Sequence, residues 1–148
     1  CGGNFSPAIK RCGYDGIFFK GISKSPVYLS IKNGKAELRD AGHLWGKDAV
    51  ETEEALIKEA GVNARVACIG PAGENLSRIA GISNDKGRIA ARSGLGAVMG
   101  SKRLKAVVLS GAKRINAANP DEMKNLSKRC NEWVQFQPPF VSGPATAR

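Results

Sequence analysis

Apolar and polar positions alternate in two adjacent stretches of this chain, Val27-Tyr28-Leu29-Ser30-Ile31-Lys32 and Lys35-Ala36-Glu37-Leu38-Arg39-Asp40, with Asn33-Gly34 between them. A period of two marks a strand with one buried face, and Asn-Gly supplies the positive φ that both central positions of a type I′ turn require. The pair predicts an antiparallel hairpin. Ile17 to Lys20 reads as a buried strand, Arg65 to Ile69 and Ser77 to Ser83 as further strand candidates, and Lys105 to Ser110 as a β-branched strand. Gly70-Pro71-Ala72-Gly73-Glu74-Asn75 lies between two of these as a turn or loop.

Helical spacing occurs in three places. From Asp48 to Ala60, the apolar set Val50, Ala55, Leu56 and Ala60 falls on one face, glutamates come early, Lys58 comes late and Gly61 stops the run. Glu51, Glu54 and Lys58 read as its solvated side. Pro7 suits a first helical position, which makes Ser6 the cap of a short helix over 7–12 that ends at Gly13. Asp121 to Trp133 predicts a last helix, started by Asn119 or Pro120, with Met123, Leu126, Cys130 and Trp133 on one face. Together these elements predict an α+β fold, β-rich, with mostly antiparallel sheets and a few short helices.

At 148 residues the chain suits a single domain, and its 42% hydrophobic and 24% charged residues are those of an ordinary soluble globular protein. No apolar run approaches the roughly 20 residues of a membrane span, so a soluble, cytoplasmic protein is expected. The chain opens on Cys1 rather than methionine and closes on Gln137-Pro138-Pro139-Phe140 and a small-residue tail, which suggests a piece of a larger protein. Cys1, Cys12, Cys68 and Cys130 are widely spaced, so no zinc or iron–sulfur ligand set is legible, and Cys68 in its apolar run reads as a small core residue. His43 is the only histidine, and beside Leu44 and Trp45 it reads as a packed or capping residue rather than a catalytic base. No catalytic residue can be named.

The candidate chemistry lies in Arg88 to Lys102. Two arginines run into a spaced-glycine turn, Gly94-Leu95-Gly96, that opens a short helix, and this combination offers fixed positive charge and backbone amides to an anion. The spacing is neither a dinucleotide fingerprint nor a P-loop. Between Lys86 and Arg114 there are eight basic residues and no acidic one, which supplies most of the net charge of +10. Such a segment is either a solvated basic surface or a site for nucleic acid, an acidic protein or a phosphate-bearing cofactor. The absence of Phe, Tyr and Trp from it removes the stacking platforms of a nucleic-acid reader, so nucleic acid is not the expected partner, although phosphate-only binding survives.

Cys68-Ile69-Gly70-Pro71-Ala72-Gly73-Glu74-Asn75-Leu76, Asn84-Asp85, the Arg88 to Lys102 block and Leu104-Lys105-Ala106 resemble the N-terminal domain of the tungsten-containing aldehyde ferredoxin oxidoreductases. Gly2-Gly3, Gly13-Tyr14-Asp15, the Pro26 to Asp40 hairpin and His43-Leu44-Trp45-Gly46-Lys47 follow the same order. The resemblance covers about residues 1–116. It implies a pterin-binding base domain over 1–116, truncated at its N-terminus, and a helix and tail over 117–148 that lead toward a missing helical domain.

The resemblance further implies a tungsten bis-pyranopterin cofactor. Gly2, Arg88, Ile89 and Ala91 match the family's pterin-binding positions, Arg92 neighbours them, and the Ile89 carbonyl matches a ligand to a magnesium between the phosphates. Aldehyde oxidation to carboxylic acids, a [4Fe-4S] cluster whose ligands are not in this chain, and ferredoxin as electron acceptor are implied for the parent; homo-oligomerisation stays open. Ile89 stands in place of a usual alanine, and Ala91 and Ser93 where many members have glycine. A benzoyl-coenzyme A reductase-like relative with the same cofactor is the alternative within the family. A basic phosphate or nucleic-acid binding module is the alternative outside it.

Overall fold

The computed structural model describes residues 3–135. The chain divides into two compact units, residues 1–114 and 115–148. The first is built on one six-stranded sheet in the order β2-β1-β6-β3-β4-β5. Its strands are β1 (Val27–Lys32), β2 (Lys35–Asp40), β3 (Arg65–Cys68), β4 (Ile82–Asn84), β5 (Arg88–Ala90) and β6 (Leu104–Ser110). Every pairing is antiparallel except β1 with β6, which is parallel, so the α+β, mostly antiparallel expectation holds in a single sheet.

The predicted hairpin forms in full, with Val27 opposite Asp40 and Lys32 opposite Lys35 across the Asn33-Gly34 turn, where φ is 49° and 85°. Central β6 is buried from Leu104 to Leu109, because apolar layers cover both faces of the sheet. On one face Leu29, Ile31, Ala67, Val107 and Leu109 pack with Phe5 and Ala8 of α1 (Phe5–Arg11), with Cys12 that follows it, and with Met99 of α4 (Leu95–Ser101). On the other, Tyr28, Val66, Cys68, Ala106 and Val108 pack against Leu56 of α2 (Ala49–Ala60) and against Leu44. The alternate residues of β6 thus serve two different layers, as the period of two requires.

Several expectations are corrected. α1 starts at Phe5 after Asn4, not at Pro7 after Ser6; its apolar face needs Phe5, and Pro7 is tolerated in the first turn, where backbone N–H groups are unpaired anyway. Residues 17–20 join no strand, and Phe18 is fully exposed. Pro71 to Glu74 forms a one-turn helix, α3, where a loop was expected, and of the 77–83 candidate only residues from Ile82 onward enter the sheet. On α2, Ala55, Leu56 and Ala60 of the expected stripe pack on the core, whereas Val50 is exposed and Thr52 and Glu53 face inward with them. Its start is as the charges suggest: Asp48 accepts from the Glu51 amide at 2.8 Å and Glu51 reaches back to the Asp48 amide, a reciprocal capping box.

The second unit contains α5 (Pro120–Gln135). Asn119 starts it, its Oδ1 accepting from the Glu122 amide at 3.1 Å. Met123, Leu126 and Trp133 are exposed along it. Among the described residues no helix is long and apolar enough to cross a membrane.

Candidate functional site

Asn84-Asp85-Lys86-Gly87-Arg88 forms the tip of the β4–β5 hairpin. Asn84 pairs with Arg88, Ser83 with Ile89 and Ile82 with Ala90, and the three tip residues Asp85, Lys86 and Gly87 take φ of 46°, 55° and 125°. Three successive positive φ values in a chain segment with only one glycine need support. It comes from Glu53 on α2, which is buried and whose two carboxylate oxygens accept from the Lys86 amide at 3.1 and 3.3 Å. On the other side the Asp85 carboxylate accepts from the Asn4 amide.

That last bond lays the start of α1 against Arg88. A side chain at Gly3, where φ is 83°, would put its Cβ 2.2 Å from Asp85 Oδ2 and 2.7 Å from Arg88 Cδ, so another residue would be strained in its backbone and would displace one of these side chains. The opening glycines and the arginine block, about 85 residues apart in sequence, are therefore neighbours in space. Gly2 itself lies outside the described residues.

Arg88, Ile89, Ala91 and Arg92 are all exposed, and β5 is the edge strand of the sheet, so one side of its backbone faces away from β4. Neither Arg88 nor Arg92 forms an ion pair or side-chain hydrogen bond among the described residues. Two free guanidiniums beside open peptide groups make a donor set suited to a phosphate ester, bidentate and charge-assisted. Oxygen atoms that a hard cation could use here are backbone carbonyls such as that of Ile89 and the Asp85 carboxylate, which already accepts from the Asn4 amide. Among the described residues no group of three His, Cys, Asp or Glu side chains could hold a metal ion. Cys12 and Cys68 are buried free thiols, and burial pushes Cys68 up to about 12.

The basic segment does not act as one patch. Lys105 is fully buried, paired with Glu74, and donates to the Lys47 carbonyl at 2.8 Å. Lys102 donates to the Gly21 carbonyl at 3.2 Å and Arg103 to that of Lys24. Lys86, Arg88, Arg92, Lys113 and Arg114 are left exposed, and of these Arg88 and Arg92 belong to the candidate block. The spaced glycines also have a different task from the one read in sequence. A Cβ at Gly94 would meet the Arg78 carbonyl at 2.6 Å, one at Gly96 the Gly81 carbonyl at 2.5 Å, and one at Gly100 the Gly73 carbonyl at 1.9 Å. They seat α4 on the 73–81 backbone, and the approach they permit is chain to chain.

His43 occupies a 3₁₀ turn over Gly42–Leu44 and is exposed; Leu44 beside it is the packed residue. Gly3, Glu53 and Asp85 were not identified from sequence as parts of the site. Asn84-Asp85 carried a signal as a turn, but Glu53 looks like any other helix charge until its burial is seen.

The family model for the aldehyde ferredoxin oxidoreductase N-terminal domain matches residues 1–111. The chain is 52% identical over 119 residues to the tungsten-containing aldehyde ferredoxin oxidoreductase of Thermococcus kodakarensis, a match that spans 80% of this chain and 20% of that protein. It is 43% identical over 138 residues to the Pyrococcus abyssi protein of the same name, spanning 93% of this chain and 23% of that one. It is also similar to a chain in the solved active-site complex of benzoyl coenzyme A reductase with 1,5-dienoyl-CoA, with a TM-score of 0.86 and 47% identity over 90% of this chain and 20% of that one. The chain thus spans about a fifth of the length of these relatives.

Proposed function

The chain belongs to the aldehyde ferredoxin oxidoreductase family, matching its N-terminal domain, and from that premise we propose that it is the cofactor-binding base of a tungsten-dependent oxidoreductase that converts aldehydes to carboxylic acids. The observation that carries the reading is the meeting of Gly3 with Arg88 on the edge strand, with exposed Arg92 two residues beyond the strand's end and neither arginine in an ion pair among the described residues.

A tungsten bis-pyranopterin, when bound, supplies the two-electron redox chemistry. The chain's own residues would hold it: Arg88 and Arg92 would take the phosphates by charge-assisted hydrogen bonds, and Gly2, Ile89 and Ala91 would supply backbone contacts to the pterin. The Ile89 carbonyl would offer an oxygen ligand to a magnesium ion that offsets the phosphate charge. Asp85 and Glu53 fix the hairpin tip that orients Arg88, so the charge is in place before the ligand arrives. The [4Fe-4S] cluster, the helical domains that enclose substrate and the contact with ferredoxin belong to the parent polypeptide. The parent is expected to be cytoplasmic.

The solved neighbour favours a second reading, a relative of benzoyl coenzyme A reductase that uses the same base domain. Assaying the anaerobically purified parent for aldehyde-dependent reduction of ferredoxin, and separately for reduction of aromatic acyl-CoA, tests the two. Aldehyde oxidation alone supports the first reading, and acyl-CoA reduction alone replaces it with the second. A nucleic-acid module is disfavoured because Lys102, Arg103 and Lys105 are engaged within the fold.

A further inference from the structure

Residues 16–20, Gly16-Ile17-Phe18-Phe19-Lys20, have the composition of a strand and no strand to pair with. They run without a bend between Asp15 and Gly21. Both ends are fastened: the Tyr14 amide donates to the Ile9 carbonyl at 3.2 Å and its hydroxyl to the Gly34 carbonyl at 2.7 Å. Beyond the segment, the Ser23 amide donates to the Lys102 carbonyl at 3.2 Å, while Lys102 and Arg103 reach the carbonyls of Gly21 and Lys24. Between these ties, no backbone N–H or carbonyl of 16–20 forms a hydrogen bond among the described residues. Ile17 packs on the core, whereas Phe18 is 100% exposed, Phe19 36% and the following Ile22 72%.

A straight, anchored run with open peptide groups and a bare aromatic is a template for strand addition. We propose that residues 16–20 are an unfilled strand position, which in the parent protein pairs with a β-strand from polypeptide outside this chain. That strand covers Phe18 with apolar side chains and brings acidic residues to Lys20 and Lys24. The length of the relatives provides such polypeptide, since this chain makes up only 20% of the Thermococcus kodakarensis protein. A second copy is the poorer occupant: each copy carries a net charge of +10, and Lys20 and Lys24 would meet their own kind. The inference rests on the chain's membership of a longer protein and is independent of the cofactor assignment.

Amide hydrogen exchange of the intact parent, followed by mass spectrometry on peptides spanning residues 15–21, tests it. Exchange slowed at least about a hundredfold below the unstructured rate, at every protein concentration, is the expected result. Free exchange in the parent overturns the proposal. Protection that vanishes on dilution also overturns it, in favour of self-association. Phe18→Lys supplies a second readout, because the residue touches nothing here: the variant is expected to lower the parent's unfolding midpoint, and an unchanged midpoint contradicts a covered Phe18.

Discussion

Gly100 faces the Gly73 carbonyl so closely that a methyl group there would lie 1.9 Å from the oxygen, on a backbone that cannot swing aside like a side chain. Gly100→Ala is therefore expected to destabilise the domain by at least about 2–3 kcal/mol, measured by urea unfolding, since overpacking a rigid contact forces α4 off the sheet. The cysteines separate in the opposite way, by exposure. Cys130 is exposed and Cys68 buried, with its thiol donating to the Ala49 carbonyl at 3.3 Å. A thiol reagent at neutral pH should label Cys130 and leave Cys68 untouched until the protein unfolds. Burial lifts the Cys68 pKa from 9.0 to about 12, helped by the nearby Glu53 charge. Because the folded value is the higher one, the stabilisation is complete below about pH 9 and is lost as pH climbs toward 12. Burial of Tyr28, whose hydroxyl donates to Glu59 at 2.6 Å, acts in the same direction. Urea midpoints that fall steadily above pH 9 would bear this out, and a flat profile to pH 11 would contradict it.

Elements differ in how far local chemistry fixes them. The β1–β2 hairpin and the start of α2 were legible because a turn dipeptide and a capping carboxylate act on their own neighbours. The face α2 buries was legible for Ala55, Leu56 and Ala60 but not for Thr52 and Glu53, which hydrogen-bond to the Asp48 carbonyl and to the distant amide of Lys86. The strand β5 was unread for a similar reason: Arg88-Ile89-Ala90 has no alternation of its own and exists by pairing with β4. The ion pair of Lys105 with Glu74 joins β6 to α3 and, through Glu74 and the Gly46 amide at 2.8 Å, to the loop after the 3₁₀ turn. Lys105→Met is expected to cost about 3–5 kcal/mol by leaving Glu74 buried and unpaired, and Lys105→Met with Glu74→Gln clearly less than the sum of the two single changes. A double-mutant cycle in urea measures both; simple additivity would mean that the pair does not act as a unit.

At the scale of the molecule, the proposed anion site was legible in sequence only in part. The arginine block announced an anion site by charge, but the same charge count included Lys102, Arg103 and Lys105, which the fold consumes internally, and spaced glycines that serve packing. Folding sorted them in part, holding those three basic side chains within the fold and leaving Arg88, beside Gly3 on the edge strand, and Arg92 just beyond it exposed together with Lys86, Lys113 and Arg114. The unfilled segment 16–20 is the converse case, a strand legible in sequence that this chain alone does not complete.

The central claim is that Arg88 and Arg92 bind the phosphates of a tungsten-bearing pterin. It is tested most directly by measuring tungsten, molybdenum and pterin per chain in the anaerobically purified parent and in its Arg88→Ala and Arg92→Ala variants. Tungsten and pterin are expected together in the unmodified protein. Each variant should hold the cofactor roughly 10- to 100-fold more weakly, the scale of one lost charge-assisted hydrogen bond, while the cofactor that stays bound reacts normally. A folded parent without metal or pterin, or variants that keep the full complement of both, would contradict the account.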